Sequence, residues 1–214
     1  MTPGSQQQTV VLVHGLFLHG AAMLPMAAQL RHAGFATRTF SYPTLDQSPR
    51  DNAYALKRLA DDIDSPVVHF VGHSLGGLVL RHFFAAFPQQ RPGRVVTLGT
   101  PHRYSQAARV LARFEMARRV LNKSLEHGLL GGVPPWNGTH ELGSIAGTLP
   151  VGLGRVVGGL AAPNDGTVAV AETRMDGMTD HICLPVSHLA LMFAPAAAYQ
   201  TAHFLRHGRF RHEP

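Results

Sequence analysis

The chain has 214 residues, 45% hydrophobic and 15% charged, which suits one folded domain spanning residues 1–214 and excludes disordered and collagen-like classes. A single cysteine, Cys183, excludes an intramolecular disulfide and a cysteine-based zinc site. The net charge of +6 points to an anionic membrane surface or anionic substrate as candidate partners. No aromatic–basic pattern accompanies that charge, so nucleic acid is not expected.

The N-terminal stretch Met1–Gln8 has neither a basic n-region nor an apolar h-region, and no apolar run reaches membrane-span length. A cytoplasmic protein is therefore expected. Thr9–Val13 is a nearly continuous β-branched run, the mark of a strand buried on both faces, and His14-Gly15 ends it. From Gly20 to Ala33 apolar residues recur at helical spacing before Gly34. Phe35–Phe40 reads as a strand, and Pro49–Asp62 as a helix with Ala53, Leu56 and Leu59 on one face. Val67–Val71 is a third strand, Leu75–Phe87 a helix closed by Pro88, and Arg94–Leu98 a fourth strand. This alternation predicts an α/β fold: an open, mostly parallel sheet of about six strands with helices on both faces.

Further on, Tyr104–His127 reads as one long helical stretch rich in Arg and Ala, and Gly128–Trp136 as irregular loop. Leu142–Ala146 is strand-like, and a glycine-rich segment, Gly152–Gly159, leads to Asn164-Asp165-Gly166. His181–Pro185 is a last short strand in which Cys183 is expected to be a small core residue. Pro195–His207 is a C-terminal helix, and Gly208–Pro214 reads as a loose polar tail.

The strand Val67–Val71 runs into Gly72-His73-Ser74-Leu75-Gly76-Gly77 and then directly into a helix. That is G-x-S-x-G in the strand–turn–helix setting that makes a serine nucleophilic. Glycines at positions 72 and 76 remove the collision a side chain would have with the neighbouring strand and helix. An acyl-transfer nucleophile also needs donors for the developing oxyanion. The backbone N–H of Leu75 is one candidate; Leu16, with Phe17 second, is the other, in the loop after the first strand. His14 suits a structural role in ordering that loop. An acid and then a base must follow the serine in the chain. Asp165 is the candidate acid, with Asp176 and Asp180 as competitors. His188, just after the last strand, is the candidate base, whereas His181 stands at the wrong end of that strand. Fourteen histidines show no zinc-ligand spacing, so neither metal nor other cofactor is expected.

Val13-His14-Gly15-Leu16, Gly72-His73-Ser74-Leu75-Gly76-Gly77, Gly99-Thr100-Pro101-His102, Asn164-Asp165-Gly166 and Ser187-His188 together resemble the α/β-hydrolase superfamily, closest in flavour to its small bacterial lipases and esterases. The resemblance runs from Thr9 to about His207. It implies serine-dependent hydrolysis of carboxylic esters through an acyl-enzyme, with a small-molecule or lipid ester as substrate. Acyl transfer, thioester hydrolysis and an inert hydrolase-fold binding protein remain alternatives. Tyr104 stands where the family often carries a small residue.

Residues 104–136 fall where this family inserts a lid or cap. Ala108, Leu111, Ala112, Met116 and Leu121 form apolar faces, and Arg109, Arg113, Arg118, Arg119 and Lys123 project charge. Such a segment can lie on an anionic membrane surface or pack as an ordinary helix. Phe17, Leu18, Leu129, Leu130, Val133 and Trp136 are candidates for the acyl pocket or its rim.

Overall fold

The computed structural model describes residues 8–152 and 160–212. The glycine-rich segment Gly152–Gly159, past its first residue, lies outside them, as do the first seven residues and the last two. Six strands form one sheet: β1 (Gln8–Val13), β2 (Ala36–Phe40), β3 (Val67–His73), β4 (Val95–Leu98), β5 (Leu142–Gly147) and β6 (Asp180–Leu184). Their order is β2-β1-β3-β4-β5-β6, and every pairing is parallel. The chain starts inside the sheet, moves to the β2 edge, then returns to build outward from the other side of β1. The loops after β1 and β3 thus diverge, which opens a crevice above the carboxyl ends of the strands.

Alternation along β1 explains its unbroken apolar run. Val11 and Val13 pack into a core shared with α2 (Pro49–Asp61) and α3 (Leu75–Ala86). Val10 and Leu12 pack into a second core on the opposite face, with α1 (Leu24–His32) and α6 (Pro195–His207). With both faces covered, all four positions from Val10 to Val13 are apolar. Ser48 caps α2 and forms a capping box with Asp51, followed by Pro49 in the first turn.

Four expectations are corrected. Gly20–Ala33 divides into a 3-10 turn, Gly20–Met23, and α1, whose first turn holds Pro25. Proline has no N–H to continue an upstream helix through that point. The long stretch Tyr104–His127 is two short helices, α4 (Gln106–Leu111) and α5 (Glu115–Leu121), with a 3-10 turn at Asn122–Ser124. Phe114 between them is extended, at φ −98° and ψ 122°. No glycine or proline marks that break, so packing and not local preference sets it. Cys183 is exposed because β6 is the sheet edge, where only Leu184 is buried. The described part of the tail, 208–212, is pinned and not loose: Phe210 is buried, its N–H donates to Asp180 Oδ2 at 2.7 Å, and Arg211 N–H donates to Gln200 Oε1 at 2.9 Å. Among the described residues no helix is long and apolar enough to cross a membrane.

Candidate active site

Five loops meet above the carboxyl ends of the strands, and the sequence explains the sharpest of them. Ser74 follows β3 directly, at φ 52° and ψ −119°, and α3 begins at the next residue. A Cβ on Gly72 would lie 2.7 Å from Gly77 N, and one on Gly76 would collide with the Val13 carbonyl. Only glycine lets the turn press this closely on β1 and on its own helix. The Ser74 N–H donates to Leu98 O at 2.9 Å, tying the turn to β4. Thr100 Oγ1 donates to Ser74 O at 2.9 Å.

Asp165 and His188 are joined twice. The His188 N–H donates to Asp165 O at 2.9 Å, and ring Nδ1 lies 2.7 Å from Asp165 Oδ2. Both side chains are buried. A carboxylate only accepts, so Nδ1 carries the proton and Nε2 keeps a free lone pair. Asp165 Oδ1 accepts the N–H groups of Thr167, at 2.9 Å, and Val168, at 2.7 Å, which fixes the carboxylate from its other side. Gly99, at φ 57°, forms the floor: a Cβ there would stand 2.9 Å from His188 Nδ1 and 3.0 Å from Asp165 Oδ2.

His73 was not assigned a role from the sequence, yet it holds the loop that carries His188. Its Nε2 lies 3.0 Å from His188 O, and the two rings are 4.7 Å apart. The carbonyl must accept, so His73 Nε2 is the protonated nitrogen. Burial and the neighbouring His188 push the His73 pKa down to about 3. His14 orders the loop after β1: its Nε2 accepts the Tyr42 N–H at 3.2 Å, its carbonyl accepts the Tyr42 hydroxyl at 2.7 Å, and the rings stack at 4.3 Å. Burial lowers its pKa too. In the same loop the Phe17 N–H donates to Thr44 Oγ1 at 3.3 Å, while Leu16 stands at the edge of the crevice.

Ser74 and His188 line one cavity of about 500 Å³, together with Leu16, Phe17, Leu18 and Leu129. Three further candidates stand elsewhere, Val133 among them, packed against the core on the α3 side. Leu130 is exposed beside α5, and Trp136 is buried against Phe84, at 5.1 Å between rings, where its Nε1 donates to His140 O. In the cavity wall are instead Ala108, Leu111 and Leu121 of the 104–136 segment. Asp176 is exposed, Asp180 is engaged with Phe210 and His212, and His181 pairs with Thr173 Oγ1 at 2.9 Å. Neither Asp176, Asp180 nor His181 lines the cavity. Among the described residues no three His, Cys, Asp or Glu side chains are grouped so as to hold a metal ion.

Residues 10–209 match the alpha/beta hydrolase family. The chain belongs to that family. In structure it is similar to the mature form of the Bacillus licheniformis lipase BlEst2, with a TM-score of 0.74 and 21% identity over 95% of this chain and 93% of that one. It is also similar to the metagenomic carboxyl esterase MGS0156 (TM-score 0.72, 15% identity, 95% of this chain and 76% of that one). A third similar fold is the RedJ thioesterase of the Streptomyces coelicolor prodiginine pathway (TM-score 0.61, 15% identity, 96% and 90%). A search of curated proteins by sequence finds no match.

Proposed function

We propose that this hydrolase cleaves carboxylic esters through an acyl-enzyme on Ser74. One observation carries the reading: His188, which shares a cavity with Ser74, has its Nδ1 2.7 Å from Asp165 Oδ2, and an Nδ1–H donated to the carboxylate leaves Nε2 as the basic nitrogen. His188 takes the Ser74 proton as Oγ attacks the ester carbonyl, and returns it to the departing alcohol. Asp165 keeps the imidazole in the right tautomer and stabilises its cation. Water, deprotonated by His188, then attacks the acyl-enzyme and releases the acid.

The oxyanion of each tetrahedral intermediate falls to the N–H groups of Leu16 and Leu75. Leu75 is the first residue of α3, and the leading N–H groups of a helix have no partner within it. Of the two candidates in the loop after β1, Phe17 has its N–H on Thr44, which favours Leu16. Similar folds that include a lipase and a carboxyl esterase agree with this reading.

The test is hydrolysis of p-nitrophenyl butyrate by the wild type and by Ser74→Ala, with fluorophosphonate labelling in parallel. The variant is expected to lose at least about a thousandfold in kcat and all labelling. Undiminished turnover by Ser74→Ala would remove the proposal. Added alcohol as a competing acceptor separates hydrolysis from acyl transfer, by product.

A further inference from the structure

We infer that the cavity selects neutral esters with a medium-length aliphatic acyl group, and that Ala108, Leu121 and Leu129 set the length it accepts. This rests on the reading of Ser74 as the nucleophile. The two ends of the cavity differ. Ala108, Leu121 and Leu129 are buried lining residues that belong to the apolar core shared with α2 and α3, and their burial marks the closed end. That end is closed by protein. At the other end Phe17, Val151 and Leu189 are each more than half exposed, at 55%, 57% and 56%.

Order of release assigns the ends. The alcohol must leave before water can attack, while the acyl group stays bound to Ser74. The alcohol therefore takes the open end, and the acyl chain takes the closed one. Selectivity then falls on the acid part of the ester and little on the alcohol.

The lining also fixes the chemistry. Among the described lining residues there is no Asp, Glu, Lys or Arg. Ser105, whose Oγ accepts the Ala108 N–H at 3.1 Å, brings a single neutral hydroxyl to that part of the lining. A charged acyl terminus would lose its water there and gain no opposite charge, only one neutral hydroxyl. Each added methylene is instead favoured by burial, about fourfold in kcat/KM, until the chain meets the closed end. The cavity, at about 500 Å³, lies at the smaller end of ligand sites, which sets a ceiling on chain length.

The test measures kcat/KM for p-nitrophenyl acetate, butyrate, octanoate and palmitate, and for the p-nitrophenyl hemiester of suberic acid, which is octanoate with a terminal carboxylate. The expected profile rises about fourfold per methylene from acetate to butyrate, peaks near octanoate and falls by palmitate. The hemisuberate is expected about a hundredfold or more below octanoate. Ala108→Phe fills the closed end and should lower the octanoate-to-acetate ratio about tenfold or more. Leu129→Ala enlarges that end and should raise the palmitate-to-octanoate ratio. If thermal melting shows Ala108→Phe unfolded, the Leu129→Ala ratio decides. A profile that is flat or falling from acetate to octanoate, a hemisuberate as good as octanoate, or ratios unmoved in the folded variants overturns the inference, provided acetate hydrolysis still requires Ser74. No Ser74-dependent turnover of any ester, with no fluorophosphonate labelling, overturns the underlying reading itself.

Discussion

Thr100 Oγ1 donates a 2.9 Å hydrogen bond to the carbonyl of Ser74, the residue at φ 52° between β3 and α3. The same carbonyl accepts the Gly77 N–H at 3.1 Å, and the Ser74 N–H is held by Leu98 O. A non-glycine residue in this region of backbone space is strained by about 1–3 kcal/mol and persists only where its surroundings over-determine it. Three hydrogen bonds from two elements do that here. The Thr100 methyl and hydroxyl also stand against Gly77, so the threonine fills the space that this third glycine of the run leaves.

Thr100→Val keeps that shape and removes the donor. The Ser74 carbonyl retains Gly77, so the stability cost is expected to be about 1 kcal/mol, a fall of roughly 2–4 °C in Tm for a chain of this size. Ester hydrolysis should fall about tenfold as the serine loses part of its support. A lower Tm with unchanged turnover would mean that the bond serves the fold alone.

His73 holds the far side of the site. His188 has its N–H on Asp165, its ring on Asp165 and its carbonyl on His73, three anchors for one residue. His73→Leu leaves the buried carbonyl without its donor, and kcat is expected to drop about tenfold with KM nearly unchanged. His73→Gln, whose amide can donate, should recover part of the loss. Equal losses in both variants would assign His73 to packing.

The parallel sheet was legible because buried parallel strands announce themselves as apolar runs: Thr9–Val13 and Val67–Val71 needed no context. Ser74 was legible through its glycines, which answer to backbone collisions next to it in sequence. Thr100 and His73 were on view in their motifs, yet their tasks depend on what the fold brings opposite them, Gly77 in one case and the His188 carbonyl in the other. The bend at Phe114 and the exposure of Cys183 were not legible at all. The first has no breaker residue, and the second follows from β6 being last in the sheet, a fact of topology and not of local pattern. Trp136 looked like a pocket residue because aromatic side chains in loops often are; Phe84 on α3 claims it.

Asp165→Asn tests the tautomer directly. The amide matches the carboxylate in shape but can present N–H to the ring, which favours a proton on His188 Nε2 and leaves no base toward Ser74. Turnover at neutral pH is expected to fall by about four orders of magnitude, with KM and fold little changed. A loss of only a few fold would show that the 2.7 Å bond between Asp165 and His188 is structural and that the base lies elsewhere.

Acid should unfold this protein through two buried histidines, His73 and His102, that have no carboxylate partner of their own among the described residues. Burial pushes His73 and His102 down to about 3, and the Nδ1 atom of each is buried with no hydrogen-bond partner among the described residues. In the unfolded chain both titrate near 6.5. Between those values the unfolded state binds the extra protons, so stability is fully present above about pH 6.5 and declines as pH falls toward 3. Each group contributes a slope of about 1.4 kcal/mol per pH unit within that window. Urea denaturation at pH 7, 5.5 and 4.5 should show this decline in unfolding free energy. His102→Gln keeps a donor toward Thr97 Oγ1, which lies 3.0 Å from His102 Nε2, and removes one titrating ring. Its slope is expected to be shallower by about 1.4 kcal/mol per pH unit, even if its stability at pH 7 is lower. An unchanged slope would place the titration in other groups, and a flat profile from pH 7 to 4.5 would mean that these imidazoles take up protons without leaving the fold.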